Sequence, residues 1–330
     1  MDALLPNIWF FLLGLILLIY VVLDGFDLGV GILSLFCGDE EQRSILMGSL
    51  GPVWHANQTW LVVLGGLLFG AFPLAYGLIL SALYIPTILL LVGFIFRAVS
   101  LEFREEAPNQ RPWSLAFGWG SLLAALAQGL VLGGLLSGLK LQGDRFAGSV
   151  WDWLQPFPSL VALGLVCGYA LLGAAYLILK TEGEIQARSY RQARAAAVLV
   201  ALALALVGSW GLLTLPHLRP GWRGWPLLFA AVFLLLILGL LRSLGQRREQ
   251  APFLWSTAIF GVAFAGLAAS LYPFLIPPAV TIAEAAAEPL TLKIMLVVMG
   301  LLLPVMLIYN AYQFRVFRGK TREGGYGYGE

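Results

Sequence analysis

The sequence predicts an all-α polytopic membrane protein with nine transmembrane helices. Of its 330 residues, 60% are hydrophobic and only 12% charged, and the mean hydropathy is +0.86. Soluble chains carry about a quarter charged residues, so this composition belongs to lipid. The apolar residues also fall in long continuous runs rather than alternating over about ten residues, which excludes a membrane β-barrel. Finally, nine spans of about 20 residues use roughly 180 positions, leaving short connections and no large soluble domain. Residues 1–330 therefore read as a single integral membrane domain, with 315–330 as a cytoplasmic tail.

The nine runs lie at about 8–36, 51–72, 74–101, 114–136, 158–179, 195–215, 225–244, 253–273 and 291–314. The first has no basic leader and exceeds signal-peptide length, so it is expected to be a retained span. Pro73 in "FPLAY" sets a tight turn between the second and third runs, and Pro273, Pro277 and Pro278 in "YPFLIPP" end the eighth. Beyond that break, Thr281, Glu284 and Glu288 read as a shaped connection. Pro304 is expected to bend the ninth span before Tyr309, Asn310 and Gln313. Small residues recur in "GFDLG", "GLLFG" and "GLVLGG", which favours close helix approach where apolar burial gives little driving force. The glycine-rich end "GGYGYGE" has no core-forming pattern and is expected to fray.

With the N-terminus outside, 15 of the 20 Lys and Arg residues fall on inward connections and five, Lys140, Arg145, Arg219, Arg223 and Lys293, on outward ones. That bias predicts N-out, C-in and an odd number of spans. The formal net charge of +2 provides no basic field for nucleic acid. Cys37 and Cys167 form no CxxC pattern, so neither a disulfide scaffold nor a sulfur-ligated metal is expected.

The chemistry lies in a few polar residues inside apolar runs. Asp24 and Asp27 in "LDGFDLGVG" are three apart on one helical face. Asp27 lies about ten residues, roughly 15 Å of rise, from the inward end of its run. Buried carboxylates need a proton, a donor or a cation, so the pair reads either as a structural helix tie or as part of an ion or proton route. In "GPVWHANQTWLV", His55, Asn57, Gln58 and Thr59 sit between Trp54 and Trp60. His55 is open to proton relay, structural hydrogen bonding or haem or metal ligation. In "FRAVSLEFREE", Arg97 is open to pairing with Asp24, Asp27 or Glu102, or to snorkelling to headgroups, while Arg104 and the acids after it are assigned to the inner surface.

Only His55 and His217 are present, at different expected depths, so a transmembrane bis-histidine haem is not expected in this chain. No nucleotide loop, zinc signature or nucleophilic triad appears, which argues against independent catalysis. A proton-coupled secondary transporter built on the acid pair and the Pro-interrupted helices is the other functional class these residues allow.

Taken in order, "LDGFDLGVG", "GPVWHANQTWLV", "FPLAYG", "FRAVSLEFR", "LLGAAYLILKTEGE", "YPFLIP" and "PVMLIYNAYQFRVFRGK" resemble subunit II of the cytochrome bd quinol oxidases over nearly the whole chain. The resemblance implies two four-helix groups plus one additional helix in a bacterial or archaeal cell membrane. It implies a non-haem subunit of a complex that passes electrons from membrane quinol to dioxygen. Haems b and d, or a b-type substitute, would sit in the haem-bearing subunit I. Some members hold a structural quinone in subunit II, and lipids and a small accessory membrane subunit are further candidate partners. By the same resemblance Asp24, Asp27, His55 and Glu102 are proton-pathway candidates, and Asn57, Gln58 and Arg97 form a structural polar network. The family's usual "WDGN" is "WHAN" here, so His55 replaces an aspartate associated with proton uptake and Ala56 replaces a flexible glycine.

Overall fold

The computed structural model describes residues 2–51, 53–218, 225–322 and 325–326. Pro52, Arg219, Arg223 and most of the terminal "GGYGYGE" lie outside them. The helices are α1 (Leu5–Ser34), α2 (Glu40–Gly48), α3 (Trp54–Ala71), α4 (Pro73–Ala82), α5 (Tyr84–Phe103), α6 (Arg111–Ser137), α7 (Pro156–Lys180), α8 (Gly183–Thr214), α9 (Trp225–Gly245), α10 (Ala251–Leu271), α11 (Ile282–Ala285) and α12 (Pro289–Val316). Among the described residues, strands occur only as short antiparallel pairs: in connections, β1 (Leu141–Gln142) with β2 (Arg145–Phe146) and β3 (Phe274–Ile276) with β4 (Val280–Thr281), and in the tail, β5 (Thr321–Arg322) with β6 (Gly325–Tyr326). Seven of the helices, α1, α4, α6, α7, α9, α10 and α12, have proline at their first or second position. The N–H that proline lacks there would have no helical partner anyway.

Among the described residues, eight helices are long and apolar enough to cross a membrane, and α3 with α4, bent by 118° at their junction, brings the number to nine if the pair is counted as one broken span. This revises the third expected run. Residues 73–82 are a separate short helix, and the next span starts at Tyr84. Pro86 explains the break, since its ring clashes with the carbonyl four residues back, that of Ala82, and it offers no N–H to bond it. The eighth run ends as expected, with α10 stopping at Leu271 before cis Tyr272–Pro273 and cis Pro277–Pro278. Thr281 and Glu284 then form a reciprocal capping box at the start of α11. Pro304 lies within α12, where Asn310 donates to the Met306 carbonyl at 3.0 Å.

Packing links α5, α6, α7 and α8 in series, with α1 against α3, α6 and α7, α10 against α7 and α9, and α12 against α1 and α3. Helix α1 is the hub, touching α3, α6, α7, α10 and α12. Its contact with α7 is backbone to backbone. A Cβ on Gly29 would collide with the Tyr169 carbonyl and one on Gly173 with the Gly29 backbone, so only glycine permits this spacing. Outward-facing apolar side chains such as Phe69, Leu91, Ile95, Leu301 and Ile308 stay exposed, as lipid-facing positions do.

Asp2 pairs with Lys293 at 2.8 Å and the Trp9 indole donates to the Leu292 carbonyl at 3.1 Å, so α1 and α12 start at the same end. At the other end, the connections α1–α3, α5–α6, α7–α8 and α9–α10 gather with the tail, and this end carries most of the basic residues. Lys320 bonds the Thr181 carbonyl at 3.0 Å and Glu249 at 2.9 Å, and Lys180 donates to the Phe317 carbonyl. The tail is thus tied to the basic end as far as Arg322 is described.

Helix α2 lies across that end, capped by Asp39, whose carboxylate accepts from the Gln42 N–H at 2.7 Å. Arg104, assigned above to the surface, is instead buried there at 5% exposure. It donates to Ser114 at 2.7 Å, Ser44 at 2.6 Å and Glu40 at 3.0 Å, and Glu40 also accepts from Arg43 at 3.0 Å and from Ser114. A guanidinium withdrawn from water needs this many acceptors. Burial pushes the Glu40 carboxyl up, but Ser114, Arg104 and Arg43 outweigh it and hold it below the usual carboxylate range.

Two outcomes follow. Gly29→Ala is expected to lower the melting temperature of the detergent-solubilised protein, with a cost of about 1–3 kcal/mol for an overpacked contact; Gly65→Ala, where a Cβ meets open space, is expected to leave it unchanged. Because the Glu40 carboxyl is depressed in the folded chain, its contribution is present above the unfolded value and is lost as pH falls through the folded one. Hydrogen exchange is therefore expected to show α2 losing protection at acid pH, and Glu40→Gln to remove about 1–2 kcal/mol of local stability at neutral pH along with that pH dependence.

Candidate functional site: a buried charge cluster in the first span

From Asp24 to Ser34, every residue of α1 is buried. Asp24 and Asp27 are both fully buried and so is Arg97, which enters from α5. The Arg97 Nη2 lies 2.6 Å from Asp24 Oδ1 and 3.8 Å from Asp27 Oδ2. From α3, the Asn57 amide donates to Asp27 Oδ2 at 3.0 Å and to the Leu23 carbonyl at 3.3 Å. Three helices therefore converge on two acids, one base and one amide. Asp27 stands seven residues before Ser34, the last residue of α1, or about 10 Å of rise, which is shallower than the extent of the apolar run implies.

Of the partners open to Arg97, the aspartates are the ones engaged. Glu102 is five residues further along α5, about 140° around the helix, and faces away from the bundle. There its carboxylate meets His55 Nε2 at 3.1 Å, with the two side chains 71% and 56% exposed. The same geometry splits "HANQT". Asn57 is two residues, about 200°, from His55, so the amide points into the cluster and the imidazole outward, stacked on Trp54. Gln58 is half-buried on the adjoining face. The expected polar residues thus form two separate units, a buried Asp24–Asp27–Arg97–Asn57 cluster and an exposed His55–Glu102 pair at the basic end.

A third set was not expected from the sequence. Tyr169 of α7 donates to the Gln128 side-chain carbonyl of α6 at 2.5 Å, and the Gln128 amide donates to the Tyr20 hydroxyl of α1 at 2.6 Å. Tyr20 is one turn before Asp24 on the same face. The spacing of Tyr20 and the lone amide in "LAQGLV" were readable signals; Tyr169 gave none.

Several buried polar atoms here have no hydrogen-bond partner among the described residues: both Asp24 carboxylate oxygens, Asp27 Oδ1, Asn57 Oδ1, Trp60 Nε1 and both terminal Arg97 nitrogens. The 2.6 Å Arg97–Asp24 contact is thus a close charge pair outside hydrogen-bond alignment. One cation facing two carboxylates withdrawn from the surface leaves one negative charge to be matched, and a carboxylate left over in this way can hold a proton.

Among the described residues, no three His, Cys, Asp or Glu side chains come together as a metal-binding group. His217 bonds the Leu136 carbonyl at 2.8 Å at the end of the bundle opposite His55, so the two histidines do not pair around a haem.

The sequence profile described as cytochrome bd terminal oxidase subunit II matches residues 5–317. Subunit 2 of the cytochrome bd-I ubiquinol oxidase of Escherichia coli strain K12 is 29% identical, the match covering 96% of this chain and 95% of that protein. Subunit 2 of the cytochrome bd ubiquinol oxidase of Bacillus subtilis strain 168 is also 29% identical, over 97% of each chain. The bd oxidase structure from Geobacillus thermodenitrificans shares the fold, with a TM-score of 0.77 at 22% identity over 95% of this chain and 99% of that one. With the helical bundle and its ordered polar residues already described, the match over nearly its full length means that this multi-pass membrane chain belongs to the cytochrome bd terminal oxidase subunit II family.

Proposed function

We propose that this chain is the non-haem subunit of a quinol-oxidising, dioxygen-reducing complex and supplies part of its proton path. Its partner is a haem-bearing subunit I. The haems there supply electron transfer and dioxygen chemistry, while residues of this chain hold and move protons. The basic end faces the cytoplasm, in keeping with its excess of Lys and Arg, which places the N-terminus outside and the C-terminus inside.

The observation that carries the reading is the buried Asp24–Asp27–Arg97–Asn57 cluster, about 10 Å below the basic end. Intramembrane ionisable groups are costly and are retained where charge has to move. Making water from dioxygen consumes one proton for each electron delivered. In this reading the exposed His55–Glu102 pair gathers protons at the cytoplasmic rim, since an imidazole can take up a proton at one ring nitrogen and release one from the other. Asp27, with one carboxylate oxygen unbonded, passes them inward. The substitution of His55 for the family's aspartate keeps a titratable group at the rim. A proton-coupled transporter, the other class consistent with a broken span and an acid pair, is set aside by family membership.

Purification of the chain from its native membrane is expected to bring a haem-rich partner with it, and a fully functional chain without one contradicts the proposal. In the assembled complex, Asp27→Asn is expected to slow quinol-driven oxygen consumption by about tenfold or more, the scale of losing a positioned proton donor. His55→Phe is expected to slow it less, and haem reduction by quinol is expected to persist in both. Normal turnover and proton uptake in both variants would remove these residues from the path.

A further inference from the structure

We infer that Tyr20, Gln128 and Tyr169 are positioning residues that keep Asp24 ionised beside Arg97, so that the cluster's single proton resides on Asp27. The inference depends on the proton-path reading only for its consequence in turnover.

Tyr169 donates to the Gln128 carbonyl oxygen and the Gln128 amide donates to Tyr20, at 2.5 and 2.6 Å. Both interactions at Tyr20 and Tyr169 are short, and both phenols are almost fully buried. The Tyr20 oxygen therefore accepts from Gln128 while its own hydrogen remains to be donated. One turn along α1, Asp24 Oδ2 is a fully buried acceptor without a hydrogen-bond partner. In this orientation of the amide the Tyr20 hydrogen stays free, whereas the flipped amide would spend it on Gln128. Tyr169 in turn satisfies the amide oxygen and locks the glutamine. A glutamine amide does not relay protons readily, so the chain orients and polarises rather than conducts.

Among the described residues, the titratable or charged groups facing the two acids are Arg97 from α5, Tyr20 on α1 and Tyr169 from α7, with Asn57 of α3 and Gln128 of α6 as neutral partners. Asp24 has the cation at 2.6 Å and the phenol chain on its side. Asp27 is 3.8 Å from the cation, accepts only an amide at Oδ2, and has a free Oδ1. One positive charge balances one carboxylate, and the proton that neutralises the second belongs on the less stabilised acid. A cluster arranged this way has one defined proton to give and one defined vacancy to refill.

The test uses the purified assembly in lipid. Infrared spectroscopy of the resting complex is expected to show a protonated-carboxyl stretch that shifts in D2O. Asp27→Glu is expected to move that band and Asp24→Glu to leave it in place. If Asp24→Glu fails to assemble, Asp27→Glu alone decides, and an unmoved band overturns the inference. Tyr20→Phe, which keeps the ring, is expected to displace the turnover–pH profile. In an Asp24→Asn background the same Tyr20→Phe change is expected to have no effect. An equal effect in both backgrounds, or none in either, shows that Tyr20 does not act through Asp24 and overturns the inference. Should Asp27→Asn leave turnover intact, the proton-path reading fails, while the infrared assignment still decides where the proton sits.

Discussion

The arrangement of this protein depends on a guanidinium held between two carboxylates where lipid surrounds the bundle. Charges at that depth are tolerated only when matched and enclosed by protein. Arg97 lies on α5, the acids on α1 and Asn57 on α3, so the contacts at 2.6, 3.8 and 3.0 Å fix the mutual rotation and height of three helices at once. Apolar packing alone fixes neither, because lipid chains satisfy an apolar helix face as well as another helix does. The glycine contact between α1 and α7 completes the enclosure by bringing Tyr169 close to the cluster's neighbour Tyr20 through Gln128.

The two ends of the bundle are built differently. At the basic end, buried Arg104 gathers Glu40, Ser44 and Ser114, and two lysines tie the tail to the α7–α8 connection. At the opposite end, proline breaks, short strand pairs and the capped α11 close the connections with few charges. The exposed His55–Glu102 pair is at the basic end, on the same side as the shallower face of the acid cluster. From that side, Asp27 is only about two turns of helix away.

Much of the fold was legible because lipid imposes a simple rule: continuous apolar runs become helices and prolines mark their limits. The nine runs, the turn at Pro73 and the break after Leu271 follow from it. The separate α4 was missed because Pro86 lies inside an otherwise unbroken apolar run, and hydropathy does not register a missing N–H. Of the site, the acid pair was legible from its spacing. The separation of His55 from Asn57 follows from helical angle once the start of α3 is known, but sequence proximity alone had merged them. Gln128 and Tyr169 come from spans that neighbour α1 only in space, and Arg104 looked like a surface residue because its acceptors, Glu40, Ser44 and Ser114, are 10 or more residues away in the chain.

The central claim is that Arg97 is needed for its charge and not for its bulk. The direct measurement compares the folded yield and melting temperature of the assembly in Arg97→Met and in Arg97→Met with Asp24→Asn. The account predicts that Arg97→Met alone is severely destabilising, at about 3–5 kcal/mol for breaking a buried pair, and that adding Asp24→Asn recovers most of the loss by removing the unmatched carboxylate. A double variant no more stable than Arg97→Met alone would contradict it.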